Sequence, residues 1–176
     1  MRVEMVTVSR WTGLTDTRHT GTSRKVPSAA EELSVFMHQG QVSHLMPLVV
    51  EAIGADPLQQ LHEIDSLTTF YAEATVERTS VIWLVAGQLL TRLEINQGGE
   101  SMTVHIPLSR IRRLQVEKRA AVQRTVIEFD ADRVTVMTVA EFTRHVPATY
   151  TLELPSTDPN VGRLVEFTRK LSQALP

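Results

Sequence analysis

Apolar residues recur along this chain with two different spacings, and the change between them falls near Ser66. On the N-terminal side the spacing is helical. Ser28-Ala29-Ala30-Glu31 has the form of a capping box, in which a serine hydroxyl and a glutamate satisfy each other's free backbone N–H groups. Leu33, Phe36 and Met37 then share one helical face, and Gly40 supplies a stop that tolerates positive φ. Ser43 opens a second apolar stretch, Leu45 to Val50, ending at Gly54, where Pro47 is tolerable only in the first turn. Asp56-Pro57-Leu58-Gln59 repeats the start signal and predicts a third short helix to about Ile64.

From Leu67 the period is two. Phe70, Ala72, Ala74 and Val76 alternate with Thr69, Tyr71, Glu73 and Thr75, as in a half-buried strand. Val81 to Val85 is apolar throughout and so is predicted to be covered on both sides. Gln88 to Ile95, the run containing Met102, Val104 and Ile106, the run containing Ile111, Leu114 and Val116, then Val122–Phe129, Val134–Val139 and Ala148–Leu154 complete seven or eight antiparallel strands. Asn96-Gln97-Gly98-Gly99 and Asp130-Ala131-Asp132 are turns between them. Asp158-Pro159 then opens a terminal helix with Val161, Leu164, Val165, Thr168, Leu171 and Leu175 on its apolar face and Arg163, Glu166, Arg169 and Lys170 on its polar face. Such a helix can cover the apolar mouth of a small barrel. The predicted fold is therefore mainly β with α: a seven- to eight-stranded antiparallel barrel over 67–176, capped by a C-terminal helix and preceded by short helices over 28–66. Residues 1–27, with Trp11 and Leu14 the only large apolar side chains after Val8, read as a flexible leader.

Four segments carry a resemblance to a known family. Val81-Ile82-Trp83-Leu84-Val85-Ala86-Gly87-Gln88-Leu89-Leu90 resembles the central hairpin of the bacterial pleckstrin-homology-like domains, including their GRAM-type branch. Ile106-Pro107-Leu108-Ser109-Arg110-Ile111-Arg112-Arg113-Leu114-Gln115-Val116 resembles their recurrent isoleucine-proline-leucine segment. Val126 to Asp130 is similar to the strand and turn that follow, and Val161 to Leu175 to the closing helix. The turn Ala86-Gly87-Gln88 departs from the acidic or amide residue and arginine often found there. The resemblance implies a barrel closed by a helix, in a family that mixes lipid binders, peptide binders and scaffolds. Its phosphoinositide site lies at the loop between the first two strands, which here reads Glu77-Arg78-Thr79-Ser80, so no inositide-binding residue carries over.

Composition narrows the chemistry. With 176 residues, 42% apolar and 22% charged, the chain can bury a core unaided, and with no cysteine it has neither disulfide nor thiolate site. The first ten residues lack the apolar region of a secretory signal, and the longest apolar run, Val81–Ala86, is far short of a membrane span, so a cytoplasmic location is expected. The formal net charge of -2 gives no global attraction for nucleic acid, and no specific nucleic-acid partner is expected. A local basic cluster, Arg110, Arg112, Arg113, Lys118, Arg119 and Arg124, is a candidate patch for an anionic lipid headgroup or acidic partner. At about 1 kcal/mol per residue, four such groups supply only about 4 kcal/mol, which corresponds to roughly millimolar binding. Strand alternation also makes the cluster an ordinary solvated face.

The N-terminal helices, through Phe36, Met37, Leu45 and Met46, carry more apolar surface than they can bury among themselves, so they dock on the chain's own sheet or form a protein interface. The six histidines are scattered without helical zinc spacing; there is no glycine-rich phosphate loop and no Gly-x-Ser-x-Gly elbow. No catalytic residue, metal site or cofactor is expected. The chain reads as a non-catalytic protein-binding or scaffold module that binds a partner or itself. The alternative is a peripheral membrane module held weakly by anionic lipid, and the third reading is a small-molecule or enzymatic cavity invisible in sequence.

Overall fold

The computed structural model describes residues 26–40, 42–56, 58–73, 80–96, 100–130, 135–138 and 146–176. The expected leader, apart from Val26 and Pro27, and the first strand-to-strand loop lie outside these residues. Helix α1, Ala29–Gln39, begins at the anticipated capping box: the Glu31 N–H donates to Ser28 Oγ at 3.1 Å and the Ser28 N–H to Glu31 Oε2 at 2.6 Å. It ends at Gly40 in right-handed geometry, φ -76, so no positive φ is needed there. That conformation falls instead at Gly54, φ 74, which stops α2, Met46–Ile53, whose Pro47 lies in the first turn. The third predicted helix is only a 3₁₀ turn, Leu61–Glu63. Asp56 Oδ1 accepts from the Leu58 N–H and spends its capping on a local turn, while the box that forms pairs Gln60 with Glu63.

The strands are β1 (Leu67–Ala72), β2 (Ser80–Ala86), β3 (Leu89–Ile95), β4 (Ser101–Pro107), β5 (Ile111–Lys118), β6 (Val122–Phe129), β7 (Thr135–Thr138) and β8 (Thr149–Pro155), followed by α3, Val161–Ala174. They form two antiparallel sheets, β1-β2-β3-β4-β7 and β5-β6-β8. Among the described residues no ladder joins the two, so the expected barrel is instead an open pair of sheets. The reason is local: after Pro107 a 3₁₀ turn, Leu108–Arg110, carries the chain out of the first sheet before β5 begins. β7 crosses back to pair with β4, leaving β1 as the far edge of the first sheet.

Alternation along β1, β2 and β3 sends side chains into two separate cores. Trp83, Val85, Leu90, Val104, Ile106, Ile127, Phe129 and Leu152 fill the space between the sheets, closed by Leu164, Phe167 and Leu171 of α3. On the opposite face of the first sheet, Ile82, Leu84, Leu93 and Ile95 pack under Leu33, Met37, Val49 and Val50 of α1 and α2. β2 is thus covered on both sides, as its unbroken apolar run predicts. Fully burying each of these large side chains is worth about 1.5–3 kcal/mol, so the N-terminal helices are part of the folded unit. The face of α3 differs by one step from its sequence pattern: Phe167 has no accessible surface and Val165 is 44% exposed. No helix among the described residues is long and apolar enough to cross a membrane.

Candidate functional site

An edge strand exposes backbone donors and acceptors, and among the described residues β1 has no neighbour on its outer side and lies at the bottom of a groove. The Glu73 N–H donates to Val81 O at 2.9 Å, which sets the parity of the β1–β2 ladder. Residues 69, 71 and 73 turn their peptide groups toward β2, and Phe70 and Ala72 turn theirs toward the open edge. Two helical stripes rise on either side: Ala29, Glu32, Val35, Phe36 and Gln39 of α1, and Gly162, Arg163, Glu166, Phe167 and Lys170 of α3. Both have the spacing of one helix face. They enclose about 560 Å³ over a floor that includes Thr69 and Phe70.

The floor is aromatic. Phe36 and Phe70 meet at 5.9 Å between ring centroids, and the Arg163 guanidinium lies 5.3 and 5.9 Å from these same two rings. Phe167 packs against Tyr71 at 5.9 Å, tying the α3 wall to the first core. Val35 is 49% exposed on the helix that buries Leu33 and Met37. A Cβ built at Gly162 would meet nothing within 4 Å, so the wall is open at that point. The walls differ in charge. On α3, Arg169 donates to both oxygens of Glu166, at 2.9 and 2.7 Å, and Lys170 lies 3.8 Å away. These bonds hold the Glu166 carboxyl below its ordinary range and raise Arg169 above its own. Arg163 of α3 reaches across to the Phe36 and Phe70 rings, Lys170 stays beside Glu166, and Glu31 and Glu32 line the α1 side.

A second polar constellation lies between the sheets. Arg92, opposite Trp83 in the β2–β3 register, pairs with Glu94 at 2.7 Å, and its guanidinium sits 5.7 Å from the Trp83 ring and 5.0 Å from the Tyr150 ring. Trp83 Nε1 donates to Glu73 Oε1 at 2.5 Å. Tyr150 stacks on Phe129 at 5.5 Å, and burial raises its phenol pKa, with Arg92 opposing the shift. The cage is already filled by the protein's own cation, so it reads as a structural ion pair held by aromatic faces.

The basic cluster named from sequence does not converge. Arg110, Arg112 and Arg113 lie at one end of β5 and Lys118 and Arg119 at the other, about 23 Å apart at strand rise. Arg112 pairs with Asp130 at 3.3 Å, Arg119 with Glu117 at 3.3 Å, and Arg124 with Glu153 at 2.6 Å. Of the interface candidates, Met37 has no accessible surface and belongs to the second core. Leu45 and Met46 are half-buried against that same core, and Phe36 alone reaches the groove. Val35, Phe70, Gly162, Arg163 and Phe167 were missed. Their signal was present only as a polar helix face and a strand edge, and nothing in one dimension joins α1 to α3 across more than a hundred residues. Among the described residues no three potential metal-ligating side chains come together. No protein-family model matches the chain, and no curated protein and no solved structure matches it significantly.

Proposed function

We propose that this chain is a non-catalytic protein-binding module of pleckstrin-homology-like architecture, which holds an extended segment of a partner along β1 between α1 and α3. The strand order supports the architecture: four consecutive antiparallel strands, a second sheet, and a helix after the last strand. β7, which returns to the first sheet, is an addition to that plan. A single observation carries the binding mode, namely the β1 edge, to which Phe70 and Ala72 turn their peptide groups, with Phe70 in the floor of a largely apolar groove. Main-chain bonds to an edge strand supply affinity and the flanking pockets supply selectivity.

Selection of a displayed random-peptide library on the intact chain tests this. Enriched peptides are expected to lose at least tenfold in affinity on Gly162→Trp, which fills the groove from a helical position where an added side chain has open space. Amide exchange at Phe70 and Ala72 should slow when peptide is bound. Peptides indifferent to Gly162→Trp, or no enrichment at all, would refute the proposed binding mode.

A further inference from the structure

Resting on that binding mode, we infer that the groove's resident occupant is the chain's own segment Met5-Val6-Thr7-Val8, which a partner peptide must displace. The chain reaches α1 by way of the groove. Pro27 lines it beside Ala29, and 25 residues precede the described chain at that point.

The walls set what an occupant must be. Helices α1 and α3 both pack on β1. They do so on opposite faces: Phe70 and Ala72 pack with the core under α1, and Tyr71 belongs to the core that α3 closes. Side chains of a strand added to β1 alternate between those two faces, one walled by Val35 and Phe36 and the other by Gly162 and Phe167. Such a strand is covered on both sides, as β2 is, and needs consecutive apolar or β-branched residues in place of alternation. From Ala29 to Gln39 α1 rises about 15 Å, which four or five extended residues match.

Met5 to Val8 meets both conditions. The run contains no charge and no glycine, and Val6, Thr7 and Val8 are β-branched. As a strand it offers Met5 and Thr7 to one wall and Val6 and Val8 to the other. From Ser9 to Lys25, glycine or a charged residue interrupts every comparable stretch. Residues 9–26 join Val8 to Pro27 and can span up to about 60 Å, several times the length of the groove, so either strand direction is within reach. A tethered segment competes at an effective concentration of about millimolar. An intrinsic dissociation constant of roughly 0.1 mM therefore keeps the groove filled and weakens a free peptide about tenfold.

The test uses the full chain, one peptide enriched from the displayed library, and the double variant Val6→Asp with Val8→Asp. The peptide should bind the double variant about tenfold more tightly than the unmodified chain. Without peptide, the Phe70 and Ala72 amides should exchange faster in the variant than in the unmodified chain. A photoreactive residue in place of Val35 should cross-link within one chain to residues 1–25, and Gly162→Trp should abolish that cross-link. Melting temperatures report folding of each variant separately. Peptide affinity unmoved by the double variant, or cross-links that miss residues 1–25, would overturn the self-occupied groove and leave edge-strand binding of a partner standing. A dimer in sedimentation that the double variant dissolves would also overturn it, by seating the segment in the groove of a second copy. Where no peptide is enriched, exchange and cross-linking still decide, and a protected, cross-linked groove would support self-occupation while removing the foreign partner.

Discussion

Arg92 shows how much one position can organise. Its strand neighbours Thr91 and Leu93 read as ordinary sheet residues, and a charge between them reads as solvent-facing, yet its register partner is Trp83 in the core. The charge survives there because Glu94 pairs with it and two aromatic faces cover it, which offsets the cost of leaving water. His105 is one residue through which pH can act on stability. It sits in β4 with Nδ1 3.0 Å from Thr91 Oγ1, and burial lowers its pKa from the ordinary 6.5. The folded chain thus takes up the proton less readily than the unfolded chain does. Stability is full above about pH 6.5, declines as pH falls through that value, and levels off below the folded pKa. The melting temperature should drop between pH 7.5 and 5.5, and His105→Asn, which retains a hydrogen-bonding group, should remove part of that slope. An unchanged slope in the variant would assign the effect to other groups.

At the scale of elements, α3 serves two neighbours with two faces. Leu164, Phe167 and Leu171 are buried in the first core, while Arg163, Glu166 and Lys170 stand along the groove. Thr168 completes the inner face, its hydroxyl 2.9 Å from that of Thr125 on β6 and donating to Leu164 O at 2.8 Å. Leu171→Ala is expected to cost about 2–5 kcal/mol, because it removes a buried side chain and leaves a cavity. Val165→Ser, on an exposed position of the same helix, should change stability by no more than about 0.5 kcal/mol. Urea unfolding of the two variants distinguishes them, and equal losses would mean that α3 is rotated from the arrangement described.

The described residues stack in three layers: α1 and α2, the five-stranded sheet, and the three-stranded sheet, with α3 closing one side of the inner core. In the basic cluster of β5 and β6, Arg112, Arg119 and Arg124 are paired with acids, which weakens the field it can offer an anionic surface. Replacing Arg112 and Arg113 by glutamate should therefore leave the unfolding free energy within about 0.5 kcal/mol and leave groove binding of peptide unchanged. Sedimentation with vesicles of anionic phospholipid provides the contrary result. Salt-sensitive binding by the unmodified chain, lost on this double reversal, would make the membrane the partner.

The sequence by itself determined the elements. A capping box placed the start of α1, and an unbroken apolar run marked β2 as the strand covered on both faces. Period-two alternation already divided Phe70 and Ala72 from Tyr71, the division that sends them to different cores. These are local properties, written in the spacing of neighbouring residues. Sheet membership was not local: β7 pairs with β4 rather than with the strands adjacent to it in sequence, and Pro107 begins the turn that separates the sheets. The phase of α3 was ambiguous because Val165 and Phe167 are both apolar, and only packing chose between them. The groove belongs to tertiary structure altogether. Its walls come from opposite ends of the chain, and its floor is defined by a backbone edge, whose open hydrogen-bonding groups no side-chain pattern encodes.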